Sequence, residues 1–267
     1  MKIYDFCLFN NEFDVLDLRL NYMKSFVDKF FVCEINITHQ SNPSEFYSKK
    51  FIENYSIAKE LMDQDKLVFI SLELEPDNRY FGVENRHRIE LGNWVKKNIN
   101  EEYIGILADC DEIISEDFKN HLNEIKDITR LDLKMFYFAS DNYSHRHPWN
   151  YLVKSFHSSV LNHLNFQSIR DHFTNNIIYN IGWHFSCFGG LDQVVDKIKS
   201  YSHIEFNNDQ HASTDILKKR LENREDYLGR LEFPCIDYSI EDYPERLKSL
   251  LKARDSVLSI STLHNKC

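Results

Sequence analysis

Uninterrupted apolar runs alternate with stretches of helical spacing through the first half of the chain. Residues 2–9 (KIYDFCLF) form a short β-rich run, and residues 12–26 then set Phe13, Leu16, Leu20, Met23 and Phe26 on one helical face. FFVCEIN (30–36), KLVFISL (66–72) and YIGILAD (103–109) mix β-branched and aromatic residues with little polar alternation, which predicts strands buried on both faces. Helical character is expected at 46–63 and at 83–97. Strand, helix, strand, helix, strand at this spacing predicts parallel βαβ units in an open α/β sheet.

Past Asp117 the rhythm loosens. LDLKMFYFAS (131–140) reads as a further strand, and 141–180 is rich in Asn, His and aromatic residues. Helical spacing returns at 191–199, 213–228 and 241–257, before a polar tail. No repeat, low-complexity linker or proline cluster marks a boundary. One domain spanning 1–267 is therefore expected, with an α/β half (1–115), a middle part (116–212) and a helical C-terminal segment (213–267). Open α/β sheets bind ligands beyond the carboxyl ends of their strands, where Asn36 and Asp109 fall.

The formal charge is −10, and no Lys/Arg cluster is dense enough to track a phosphate backbone, which argues against nucleic acid as the partner. The six cysteines never form a C-x-x-C pair, so a zinc knuckle or disulfide framework is not expected. No apolar stretch is long enough to span a bilayer, and acidic and amide residues come too early for a signal peptide. A cytoplasmic location is the expectation, with room for peripheral membrane contact.

ILADCDEI (106–113) is the sharpest chemical feature. An apolar strand delivers Asp109 and Asp111 at its carboxyl end, and alternate residues of an extended segment point the same way. Two such carboxylates suit Mg²⁺ or Mn²⁺, which take one or two protein oxygens together with substrate phosphates. A solvated acidic turn capping the next helix, with Glu112 and Asp117 at its start, is the plainer alternative. Charge delivered at a buried strand end favours the cation, because unpaired buried charge is costly.

The second feature is NIGWHFSCFGG (180–190), followed by LDQVVDKIKSYSHIEF (191–206). Gly189-Gly190 allows positive φ or close backbone approach to a ligand, or simply turns a strand into a helix. Trp183 and His184 suit either a ligand wall or a core. His203, just past that helix, could be a third metal ligand as a neutral imidazole, or a hydrogen-bonding residue.

Together these stretches resemble glycosyltransferase family 17, which includes the β-1,4-mannosyl-glycoprotein β-1,4-N-acetylglucosaminyltransferases. The matching segments are IYDFCLFNNEFDVLDLRL (3–20), FFVCEINITH (30–39), VENRHRIELG (83–92), DCDEI (109–113), GWHFSCFGG (182–190) and KIKSYSHIEFN (197–207). The resemblance implies a GT-A-type nucleotide-sugar-binding fold with a mostly parallel central sheet flanked by helices. It implies inverting transfer from a UDP-sugar, with UDP-N-acetylglucosamine as the expected donor, a glycan hydroxyl as acceptor, and Mn²⁺ or Mg²⁺. The first half would then bind the nucleotide, and the middle part the acceptor.

Carried over by position, Asp109 and Asp111 match the family's D-x-D, and His203 its SH segment as a metal ligand. Glu34 and Asn36 match the strand end where the nucleoside would sit. Arg88 would pair with phosphate, while Trp183, His184, Gly189 and Gly190 would line the donor site. The family commonly has Gln-Arg where this chain has His87-Arg88. The animal enzymes carry N-terminal targeting and membrane sequence, whereas this sequence begins directly at the catalytic motif, so their glycoprotein acceptor is not the expectation here.

Inversion needs a base for the acceptor hydroxyl on the side opposite the diphosphate. Asp192, opening a helix after Gly189-Gly190, is the favoured candidate, with Glu205 and Asp209 behind it; Asp192 could equally be a helix cap. Two rival readings stay open. One is a metal-dependent phosphohydrolase or nucleotidyltransferase on the same acidic pair. The other is a non-catalytic carbohydrate-binding protein on the same fold.

Overall fold

The computed structural model describes residues 1–254 apart from Lys126 and Pro148. The predicted tail and the end of the last predicted helix lie outside the described residues. The first half follows the sequence pattern closely. It runs β1 (Lys2–Leu8), α1 (Phe13–Met23), β2 (Lys29–Ile35), α2 (Ser48–Asn54), α3 (Ser56–Asp63), β3 (Leu67–Leu72), α4 (Gly82–Asn98), β4 (Tyr103–Asp109) and β5 (Glu112–Ile114).

The helical stretch at 46–63 is two helices. Tyr55 takes an extended backbone, with φ −121° and ψ 113°. Its ring stacks on Phe51 at 4.7 Å, so the break seats an aromatic side chain against the core.

The rest of the chain adds β6 (Ile128–Leu131), β7 (Lys134–Tyr137), β8 (Asn142–Tyr143), β9 (Lys154–His157), α5 (Phe166–Asp171), β10 (Ile177–Ile178), β11 (Gly182–Ser186), α6 (Leu191–Ser200), α7 (Thr214–Glu222), β12 (Ile236–Asp237) and α8 (Glu245–Lys252). The strand expected over 131–140 is thus divided between β6 and β7.

The main sheet has the order β10-β6-β9-β4-β1-β2-β3, and β9 runs against the other strands. A second sheet, β12-β8-β7-β11-β5, is mostly antiparallel and continues from the carboxyl end of β4 through β5. The result is a mixed α/β fold with a central, mostly parallel sheet flanked by helices.

The unalternating strands are unalternating because both faces are covered. On β1, Ile3 and Cys7 enter the core that contains α1 to α3, while Tyr4, Phe6 and Leu8 enter the core under α4 and α5. Each such aliphatic or aromatic side chain contributes about 1.5–3 kcal/mol by burial. Asp5 is the polar exception, fully buried and paired with Arg19 of α1 through bonds of 2.8 and 2.5 Å. In β4, Gly105 leaves room for the Phe156 ring; a Cβ there would lie 2.4 Å from it.

Candidate active site

A cavity of about 620 Å³ opens at the carboxyl ends of β1 and β4. Its floor is the turn from β4 to β5. Arg19, fixed by Asp5, donates from Nη1 to the carbonyl oxygens of Asp109 (3.1 Å), Cys110 (3.4 Å) and Glu112 (2.5 Å). The Asp109 amide donates to Glu112 Oε2 at 2.5 Å, which closes the turn on itself. The two aspartates are therefore presented by a backbone held from below.

Asp109 lies between two arginines. Arg88 of α4 donates to Oδ1 at 2.8 Å, and Arg170 of α5 to Oδ2 at 2.7 Å. Arg170 also reaches both oxygens of the fully buried Glu112, at 2.8 and 3.0 Å, and Trp149 donates its indole N–H to Glu112 at 2.5 Å. Burial pushes the Asp109 carboxyl up, but Arg170 and Arg88 outweigh it and hold it well below the ordinary carboxylate range. Arg88 is held in turn by Glu84, 2.7 Å away. Glu84 is raised by burial and pulled down further by Arg88, then by His39, to about 2.

Asp111 has different partners. Lys197 of α6 lies 2.6 Å from Oδ2, and His184 Nε2 lies 3.3 Å from Oδ1. Lys197 also reaches Glu12, at 3.0 Å, from the residue before α1. Burial raises Asp111, and Lys197 followed by His184 overcome it, leaving the carboxyl far below its usual range. For Glu12 burial prevails over Lys197, and its carboxyl is pushed up.

Trp183 and His184 are neighbours on β11 and point to opposite faces, as a strand requires. His184 packs on Trp149 at 4.4 Å beside the cavity, whereas Trp183 lies in the core against Tyr22 and Tyr243. Trp183 is thus not a wall of the expected donor site. Gly189 and Gly190 have φ of 113° and 98° and turn β11 into α6; they are not among the lining residues. Their effect is to aim that helix, whose Gln193, Asp196, Lys197 and Ser200 face the cavity.

Asp192 is exposed on α6 and is not a lining residue; it lies one turn before Asp196, toward the start of the helix. Glu205 and Asp209 are not lining residues either. Glu205 accepts from Tyr80 at 3.1 Å and pairs with His203 at 2.8 Å.

Glu34 and Asn36 do end β2 as expected, but their side chains tie loops together. Glu34 accepts from the Tyr47 and Ser48 amides at 2.6 and 2.8 Å and from the Ser48 and Ser71 hydroxyls at 2.5 and 2.6 Å. Asn36 accepts from the Leu74 amide at 2.8 Å. Neither residue lines the cavity, whereas Phe9, His39 and His87 do.

Two hard carboxylates one residue apart are the donor type that Mg²⁺ or Mn²⁺ takes. Here each of their oxygens already faces an arginine, a lysine or a histidine. His203 does not join them. Among the described residues no three His, Cys, Asp or Glu side chains gather as a metal ligand set. The arrangement present does not fit the expected divalent ion.

Arg19, Arg170, Lys197 and Glu12 are the site residues that the sequence does not single out. Arg19 stands among Leu16, Leu18 and Leu20 on the buried side of a helix, a signal that an arginine there has a buried partner. Lys197 and Glu12 lie within the family segments but look like ordinary helix-end charges. Arg170 falls where the pattern is loosest and leaves no such trace.

The glycosyltransferase family 17 model matches residues 1–251. The chain belongs to glycosyltransferase family 17. No curated protein is matched. Among solved structures, the inositol-1-phosphate CTP transferase from T. maritima is similar at 12% identity and a TM-score of 0.35, over 69% of this chain and 84% of that one. No helix among the described residues is long and apolar enough to cross a membrane. As a family 17 glycosyltransferase the protein takes a sugar donor and a glycan acceptor, and its five described cysteines are buried free thiols.

Proposed function

We propose that this family 17 enzyme transfers N-acetylglucosamine from UDP-N-acetylglucosamine to a glycan hydroxyl with inversion. The observation that carries the reading is the convergence of Arg88, Arg170 and Lys197 on the Asp109–Asp111 turn at the cavity floor. Cations at the carboxyl end of parallel strands suit a diphosphate. The acceptor would lie toward Trp149, Tyr227 and Arg230, where aromatic faces and a guanidinium suit a sugar.

In the transfer, the acceptor oxygen attacks the anomeric carbon as the bond to the diphosphate oxygen breaks, and a base takes the hydroxyl proton. Asp196 is our candidate, because it lines the cavity and, among the described residues, has no cation or hydrogen-bond partner. Asp192, four residues earlier on the same helix, is the alternative. A donor screen reading UDP release and new glycoside tests the function; UDP-N-acetylglucosamine should give the largest signal. Equal responses from unrelated nucleotides would remove the reading. Asp196→Asn should lose transfer and keep UDP binding, while loss in Asp192→Asn alone would move the base there.

A further inference from the structure

Two carboxylates from distant parts of the chain converge on one ammonium. Lys197 Nζ lies 2.6 Å from Asp111 Oδ2 and 3.0 Å from Glu12 Oε1, on the cavity wall. A lysine held between two acids occupies the kind of position a bound cation takes. An ammonium has three N–H donors, so this one retains a donor beyond those two contacts. Arg170 lines the same cavity, and its buried Nε has no partner among the described residues.

We propose that Lys197 is the site's built-in counter-ion for a nucleoside diphosphate, so that the donor binds and its leaving group departs without a divalent metal. This rests on the nucleotide-sugar reading above. Glu12 occupies the ammonium until the donor arrives. It is the more exposed of the two acids, with 26% of its side chain accessible against 5% for Asp111, and it precedes a helix rather than closing the floor. Diphosphate oxygens replace Glu12 on Lys197, while Asp111 keeps the lysine in place. During transfer the electron pair of the broken glycosidic bond stays on the diphosphate oxygen, where the ammonium and the arginines stabilise it.

Calorimetric titration of the full chain with UDP, in EDTA and then with Mn²⁺, decides the matter. Wild type is expected to bind in EDTA, with Mn²⁺ changing the affinity by less than about threefold. Lys197→Met should weaken binding by about tenfold or more, and Lys197→Arg should restore most of it. Glu12→Gln should tighten binding by about threefold or more, because it removes the competing anion. That variant keeps the proposal testable if Lys197→Met fails to fold. UDP binding that appears only with Mn²⁺, or Glu12→Gln binding that weakens, overturns the lysine's role and leaves glycosyl transfer standing. Absence of UDP binding under both conditions removes the nucleotide-sugar reading and this proposal with it.

Discussion

Arg170 Nη2 lies 2.7 Å from Asp109 Oδ2, and the same guanidinium spans Glu112, so one buried arginine neutralises both ends of the cavity-floor turn. Removing one partner of such a pair leaves a buried charge uncompensated. Arg170→Met should cost about 3–5 kcal/mol in urea unfolding. Arg170→Lys should recover only part of it, since an ammonium cannot span both carboxylates in plane. Wild-type stability in Arg170→Met would show that the turn is held by its other partners, Arg19, Arg88 and Trp149 among them.

Trp183 and His184 should separate stability from activity. Trp183→Ala opens a void between Tyr22 and Tyr243 and should cost about 3–5 kcal/mol, with UDP affinity kept in the folded fraction. His184→Ala removes a partner of Asp111 and should lower turnover by about tenfold or more with a small shift in melting temperature. Parallel thermal scans and transfer assays on the two variants read the difference directly.

Much of this arrangement was legible in the sequence. The βαβ order, the strand that delivers Asp109, and Arg88 beside it follow from periodicity and family motifs. The direction of individual side chains does not. Trp183 and His184 are equally prominent in GWHFS, and only the pairing of β11 with β5 and β7 decides which one meets the cavity. Glu34 likewise has the right position but a local duty, because the nearby α2 amides and serine hydroxyls reach it first. Arg170 and Lys197 depend on long-range approach, which no local pattern records.

Acid stability should bear the mark of Glu84. Its carboxyl sits at about 2 in the fold against an ordinary 4.5, so it is depressed. Its contribution is therefore fully present above about 4.5 and is lost as pH falls toward about 2. Melting temperatures across that window should fall less steeply in Glu84→Gln than in wild type. An unchanged slope would assign the acid response to other carboxylates, Asp109 and Asp111 first.

Gly189→Ala tests the turn that aims α6. The residue has φ 113°, and a Cβ would lie 2.2 Å from Gln193 Oε1. A loss of about 1–3 kcal/mol is expected, with UDP affinity falling as Lys197 shifts. A variant that is as stable as wild type and binds UDP as well would show that the helix is positioned by its packing instead.

Arg19 reaches the floor turn from within the first helix, but the cations that complete the floor come from residues 88, 170 and 197. The proposed binding surface is consequently a late product of synthesis. A ribosome-bound chain ending before α5 would already have the scaffold strands, yet its acidic turn would lack two of its three compensating charges. Nucleotide capture should therefore begin only once α6 has emerged and docked, long after the central strands can pair.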